Sequence, residues 1–217
     1  MNTGKREAGS PRLSSEFDRT VWVPVPLAFK GTPWKDPAEW AWQAALERLG
    51  RERGVVTKQM AKDEVTPRAT QLLVARQTIA GRLPASSLYL HLPDSVCLPV
   101  YLGVAMRRSE GTLEEARARL GGFESENAKG SPLVEPFATD ALGEGIRYSW
   151  TGENEQGAFD LANYVFRDQE QQVDLHVFVG PNWDRDRGEQ IRSDVEAFVR
   201  VLRFLPPQAP RRRLFGR

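Results

Sequence analysis

The side chains able to do nucleophilic or metal chemistry are few in this chain. It has two histidines, His91 and His176, and one cysteine, Cys97. Each histidine lies in an alternating run, on the parity opposite to the main apolar residues of that run. If a sheet face brought both imidazoles together with Cys97 or Asp174, a Cys–His pair or a weak metal site would result. The alternative is two histidines that face solvent or are hydrogen bonded on a one-sided sheet.

The remaining polar patterns point away from catalysis. The carboxylates Asp184, Asp186, Glu189 and Asp194 could bind a cation, but at a helix start they also oppose the helix dipole favourably. No serine lies in a GxSxG context, and there is no GxGxxG or GxxxxGK(S/T) phosphate loop. A single cysteine excludes an intrachain disulfide and a CxxC metal site. The sequence therefore predicts no catalytic residue, no cofactor and no metal, which favours a non-catalytic protein over an enzyme.

Tryptophan is concentrated near the N-terminus, where Trp22, Trp34, Trp40 and Trp42 lie in one short stretch. Tryptophan is enriched at interfaces and also buries a large area, so the stretch either supports a core or presents a partner surface. At 100° per residue, Trp40 and Trp42 lie about 200° apart around a helix. Trp42 shares an apolar stripe with Ala45 and is expected in the core. This leaves Trp22, Trp34 and Trp40 as the predicted partner-binding residues.

The same helix phase makes an energetic prediction. Trp42→Ala is expected to cost roughly 3–5 kcal/mol of stability if Trp42 is fully buried. Trp40→Ala is expected to cost much less if that side of the helix faces a partner. Equal losses at the two positions would mean that the whole stretch belongs to the core.

Spacing and turn residues predict the elements that position these side chains. The pairs Asp36-Pro37 and Thr66-Pro67 each place an N-cap before a proline at the first helical position. The second helix is the weaker of the two, because the run from Gln71 to Ile79 is also compatible with a strand. Two strands are predicted from Ser87, joined around Pro93-Asp94, and a helix is predicted from Thr112. Four further strands are predicted within 134–139, 146–150, 159–166 and 173–179. The last predicted helix begins at about Asp186, and the chain after it can form a terminal strand at RVLRFLP.

This order predicts an α+β fold, with an antiparallel β-sheet and helices packed on one face. Residues 17–205 are expected to form the single domain, with a helical N-terminal third. Residues 1–16 are expected to be a disordered tail, and 206–217 a basic Pro- and Arg-rich tail.

Composition restricts the class of protein further. The chain has 217 residues, of which 40% are hydrophobic and 27% charged, an ordinary globular profile. A net charge of +1 gives no reason to expect nucleic acid as a partner. Neither an apolar run of membrane-spanning length nor a signal-peptide h-region is present, so a soluble cytoplasmic protein without a membrane span is predicted.

The second half of the chain carries a resemblance through the order of its elements. They are the hairpin LYLHLPDSVCLPVYLGVAM, the helix TLEEARARL, the meander GIRYSW, ANYVF and VDLHVFVG, and the closing helix with VRVLRFLP. From about residue 87 to 205 this order resembles the Mog1/PsbP-like α/β fold. The resemblance implies a small bacterial domain of adaptor type, and it supplies no catalytic constellation to transfer. The chain differs from the lipoprotein members because it has no signal peptide and no lipobox cysteine.

The sequence thus predicts a non-catalytic protein-binding or adaptor protein of bacterial type, acting through a tryptophan-rich N-terminal arm and helix. The alternative is a small-molecule-binding protein or enzyme with a pocket near His91, His176 and Tyr101. Self-association through a sheet edge or the arm is a third hypothesis. The relative orientation of the two imidazoles tests the small-molecule or enzyme hypothesis, because that hypothesis needs both rings in one pocket.

Overall fold

The computed structural model describes residues 12–80, 85–94, 97–121, 130–155, 157–182 and 184–205. The elements are, in chain order, β1 (Arg12–Ser15), β2 (Trp22–Val25), α1 (Pro37–Arg53), α2 (Lys58–Met60), a π-helical turn (Ala61–Val65), α3 (Thr66–Ala80), β3 (Ser87–His91), β4 (Val100–Arg108), α4 (Leu113–Gly121), β5 (Leu133–Thr139), β6 (Gly143–Asn154), β7 (Gly157–Asp168), β8 (Val173–Asn182), a 3-10 turn (Arg185–Arg187), α5 (Gly188–Arg200) and β9 (Leu202–Leu205).

Seven strands form one sheet in the order β2-β3-β4-β8-β7-β6-β5, and every neighbouring pair is antiparallel. The predicted α+β class and antiparallel sheet are confirmed. The strands β1 and β9 form a separate two-stranded sheet, in which Leu13 pairs with Phe204. The predicted N-terminal tail therefore extends too far, because residues 12–15 are a strand. Residues 1–11 and the predicted basic tail 206–217 lie outside the described residues.

The helices lie on both faces of the sheet rather than on one. Helix α5 packs Val195 and Phe198 against Leu102 of β4, on what we call the α5 face. Helices α1 and α3 pack against Leu88 and Leu90 of β3, on the opposite α1–α3 face. Because successive side chains of a strand point to opposite faces, both faces of β3 and β4 can be apolar and both acquire a helical layer. The expectation of a single helical layer is corrected accordingly.

Local signals explain where the N-terminal helices begin and end. The Asp36 carboxylate accepts a hydrogen bond from the backbone N–H of Glu39 at 2.9 Å, and Gly54 ends α1 with a φ of 74°. Helix α3 begins at Thr66 as predicted, but Thr66 is not its N-cap, because helical structure already starts after Thr57, which caps α2. The π-helical turn before Pro67 joins α2 to α3, and such a turn accommodates a ring that would clash within a regular α-helix. The segment 71–79 is helical. None of the helices described is both long and apolar enough to cross a membrane.

Candidate functional site

The two histidines lie on opposite faces of the sheet. His91 pairs with Val100 of β4, whereas His176 pairs with Ala105 of the same strand. Val100 and Ala105 are an odd number of positions apart, so their side chains, and those of their partners, point to opposite faces. Tyr101 shares the parity of Ala105 and therefore the face of His176. The prediction of a common pocket near His91, His176 and Tyr101 is therefore wrong.

Each imidazole is buried in its own surroundings. His91 on the α5 face bonds Asp194 of α5 through its Nε2, at 2.8 Å from Oδ2, and Trp22 lies edge-on at 5.1 Å between ring centroids. Burial lowers the pKa of His91, although the bond to Asp194 acts in the opposite direction. Burial, assisted by Arg107, lowers the pKa of His176 to about 4. Both rings are therefore neutral near pH 7, and each is buried away from solvent.

The single cysteine lies in the connection between β3 and β4, where a carboxylate holds it. The Cys97 thiol donates to Oδ1 of Asp94 at 2.6 Å, and the Arg187 guanidinium contacts both the sulfur and Asp94. This contact joins the β3–β4 connection to the turn that precedes α5. Across the described parts of the chain, no group of three or more His, Cys, Asp or Glu side chains could hold a metal ion.

The tryptophan-rich segment forms a concave surface, which we call the tryptophan groove. It lies between α1 on one side and β2 with the loop before α1 on the other, and its volume is about 340 Å³. The three predicted partner-binding residues, Trp22, Trp34 and Trp40, all line it together with Pro24 and Pro33. The structure therefore brings together the aromatic side chains that the sequence analysis selected. Whether a partner occupies the groove stays a prediction.

The burial of the tryptophans reverses the sequence-based expectation. Trp40 is 0% exposed and Trp22 is 2% exposed, whereas Trp42 is half-buried and does not line the groove. The Trp40 indole N–H donates to the carbonyl oxygen of Pro24 at 3.1 Å, which satisfies a backbone group of the edge strand β2. The exposure expected for Trp40 and the full burial expected for Trp42 are therefore both wrong. Of the three lining tryptophans, Trp34 is the half-buried one that a partner could contact directly.

A buried arginine explains why the helix phase was misjudged. Arg48 is 4% exposed, and its guanidinium donates to the carbonyl oxygen of Thr20. Burial lowers the pKa of Arg48, and its aliphatic stem continues the buried stripe. The buried residues of α1 are Trp40, Ala41, Ala45, Arg48 and Leu49. A pattern that counts arginine as solvent-facing shifts the expected apolar stripe toward Trp42.

The loop that carries Trp34 is fixed by side chains on both of its sides. Arg76 of α3 donates through Nε to the carbonyl oxygen of Pro26 at 3.1 Å, and its guanidinium lies 4.9 Å from the centre of the Phe29 ring. The Thr32 hydroxyl lies 2.9 Å from the carbonyl oxygen of Phe29 and 3.0 Å from that of Trp34. The backbone that presents Trp34 is therefore pre-organised, which lowers the entropy cost of binding.

Among the described residues, Arg19 is a cation at the rim of the groove that is open to a partner. Arg51 pairs with Glu47 on α1 and also donates to the carbonyl oxygen of Arg19. The Arg19 side chain is exposed and lines the groove, and it forms no ion pair with any described residue. An acidic group at this end of the groove would therefore meet an uncompensated charge.

The fold and the groove define an α+β protein with a seven-stranded antiparallel sheet and an aromatic concave surface. No family model matches the chain, and no curated protein is similar to it in sequence. Among solved structures, the chain is similar to LpqN, described as "involved in cell envelope biogenesis of Mycobacterium tuberculosis", with a TM-score of 0.50 and 7% identity. The match covers 91% of this chain and 86% of that chain. At this identity the likeness concerns the fold alone.

Proposed function

We propose that this protein is a non-catalytic binding or adaptor protein that holds an extended segment of a partner protein in the tryptophan groove. The observation that carries this proposal is the convergence of Trp22, Trp34 and Trp40 with Pro24 and Pro33 on one concave surface. Aromatic side chains are enriched at interface centres, and tryptophan is prominent among residues that dominate binding energy. The groove is about 340 Å³ and is open to solvent beside Trp34, so it suits a few side chains of a partner.

The edge strand beside the groove favours recognition by side chains over strand addition. Pro24 of β2 has no backbone N–H to offer, and its carbonyl oxygen already accepts from Trp40. A partner strand would therefore find an interrupted row of backbone groups. The expected partner segment has an apolar side chain against Trp34 and Pro33, followed by an acidic side chain near Arg19.

We also propose that the fold is of the Mog1/PsbP-like type, a finer class than the likeness to LpqN establishes. The order of the hairpin β3–β4, helix α4, the meander β5–β8 and the closing helix α5 supports this. LpqN is involved in cell envelope biogenesis, and an adaptor function of the present chain would be compatible with such a process. The cytoplasmic location predicted from the sequence remains a proposal, and fractionation of the native cells with an antibody to the chain would test it.

Replacing Trp34 by alanine is expected to weaken partner binding at least tenfold, because truncation of a central tryptophan typically removes a dominant contact. The partner is first identified with a photo-crosslinking amino acid at Gln43, which lines the groove. The control position is Val74 of α3, which is 56% exposed and does not line it. The protein that crosslinks from Gln43 alone is then purified and titrated against the wild type and the Trp34→Ala variant.

Trp42→Ala is the matched control, since it makes the same substitution outside the groove. It should retain wild-type affinity, and circular dichroism should show that both variants are folded. Equal affinities for the wild type and Trp34→Ala would contradict the proposal, as would identical crosslinks from Gln43 and Val74. Crosslinking to a second copy of this chain would replace the proposal by self-association.

A further inference from the structure

A second and larger cavity lies on the α5 face, between the outer strands of the sheet and the first turns of α5. Its volume is about 650 Å³, within the range of small-molecule sites. We call it the α5 cavity. It shares no lining residue with the tryptophan groove. It is therefore a second concave surface that the proposed function does not use.

The strand register explains why space remains under α5 at this point. On the α5 face of β6 and β7, Arg147 is paired with Tyr164, and these two large side chains fill the space beside them. The next pair on the same face consists of the small residues Ser149 and Ala162. Side chains of this size do not reach α5, so a cleft opens whose floor is the Ser149–Ala162 pair. Its roof includes Ile191 of α5.

One carboxylate in the cavity wall has no neutralising partner among the described residues. Asp160 is half-buried and forms no hydrogen bond or ion pair with any residue that the structure describes. The other lining acid, Glu189, is exposed and pairs with Arg192. The lining cation Arg185 is exposed, so solvent screens its charge. A half-buried carboxylate that no described cation neutralises favours a ligand that brings positive charge.

Two hydroxyl groups lie beside this carboxylate on the same face. Thr151 is the direct cross-strand partner of Asp160, and Ser149 is two positions along β6. A primary ammonium group has three N–H donors, which match one carboxylate and two hydroxyl oxygens. The opposite wall is aliphatic and includes Ile191 and Val195 of α5. The cavity therefore combines a polar end with an aliphatic wall.

The other end of the cavity does not offer a site for an anion. The Arg147 guanidinium lines it, but Glu135 and Glu196 each accept a bond from this arginine. A carboxylate ligand would meet two carboxylates around one cation. The charge pattern thus disfavours a fatty acid in the same volume.

We propose that the α5 cavity binds a primary alkylammonium ligand. Its ammonium group bonds Asp160, Thr151 and Ser149, and its alkyl chain lies along Ala162 and the aliphatic side of α5. This site is independent of partner binding in the tryptophan groove. Loss of one therefore does not imply loss of the other.

Three probes of equal chain length separate charge from hydrophobicity: octylamine, which is protonated near pH 7, octanoate and octanol. Calorimetric titration of the full chain is expected to show binding of octylamine that is at least tenfold tighter than that of the other two. Asp160→Asn keeps the shape and removes the charge, and it should weaken octylamine binding at least tenfold. Ala162→Phe fills the cleft and should abolish it.

The control variant is Asp140→Asn, which makes the same substitution at an exposed carboxylate outside the cavity and should leave octylamine affinity unchanged. Thermal unfolding of each variant establishes that the domain is folded. The proposal is overturned if octylamine does not bind, if octanol or octanoate binds equally well, or if Asp160→Asn binds like the wild type. Retained octylamine binding in a folded Ala162→Phe variant would place the ligand elsewhere and would also overturn it.

Discussion

Replacing Trp40 by alanine is expected to lower the free energy of unfolding by about 3–5 kcal/mol, the usual cost of truncating a buried aromatic side chain. Trp40 belongs to α1, is 0% exposed and is hydrogen bonded to the edge strand β2. The truncation removes a large apolar contact and leaves a cavity that the helix and strand cannot easily close. It also removes the N–H donor of the Pro24 carbonyl oxygen. Urea unfolding followed by far-UV circular dichroism would measure the loss.

Two further variants separate the parts of this effect. Trp40→Phe keeps an aromatic ring but removes the indole N–H, and should cost about 1 kcal/mol for the lost bond plus a smaller packing loss. Trp42→Ala makes the same truncation two residues away, where the side chain is half-buried, and should cost clearly less than Trp40→Ala. A larger loss for Trp42→Ala would contradict the burial order of the structure and restore the order that the helix pattern predicts.

The sheet could be predicted from the sequence because its signal is local. Alternation in 98–106 and in 173–179 is a property of consecutive residues, and turn residues separate the strands. Hairpin connections then imply antiparallel neighbours, which the structure contains throughout the sheet. The pairing of β1 with β9 joins the two ends of the domain, and no local pattern of residues reveals it.

The histidines show how a correct local rule can mislead about a site. Each histidine is opposite in parity to the main apolar residues of its own strand, as the sequence indicates. In β3 those residues include Leu90, which faces α1 and α3, whereas in β8 they include Val177, which faces α5. The same rule therefore places His91 and His176 on different faces. The two-sided helical packing is a tertiary property, and it decided which side chains could share a site.

The groove was predicted in part for a similar reason. Trp22, Trp34 and Trp40, which cluster in the sequence, line one concave surface in the structure, and their partner-binding role stays a prediction. Their burial depends on two tertiary contacts that the local pattern does not show. Arg48 is buried and donates to the carbonyl oxygen of Thr20, and the Trp40 N–H donates to the carbonyl oxygen of Pro24, sixteen residues earlier. The α5 cavity carried no sequence signal, because it arises from small residues paired across two strands. Register is needed to see that Ser149 faces Ala162.

Acidification is expected to destabilise the domain through His176. Its pKa in the folded state is lowered from 6.5 to about 4, with burial as the main cause and Arg107 as the second. The unfolded chain therefore binds a proton on this residue at a higher pH than the folded chain does. The stabilisation by the neutral ring is present above the unfolded pKa and is lost as the pH falls through the folded one. Over that interval the loss reaches about 3 kcal/mol, since one pKa unit corresponds to about 1.4 kcal/mol.

A variant that cannot titrate isolates this effect from that of the carboxylates. The free energy of unfolding of the wild type and of His176→Gln is measured from about pH 8 to about pH 5, and the wild type should lose about 2 kcal/mol more than the variant. His91→Gln is the matched control. Protonated His91 would retain its bond to Asp194, so removing it should change the pH dependence less. Parallel curves for the wild type and His176→Gln would show that the folded state accepts a proton at His176 without penalty. That result would contradict the penalty expected from the burial of this ring between β4 and β7.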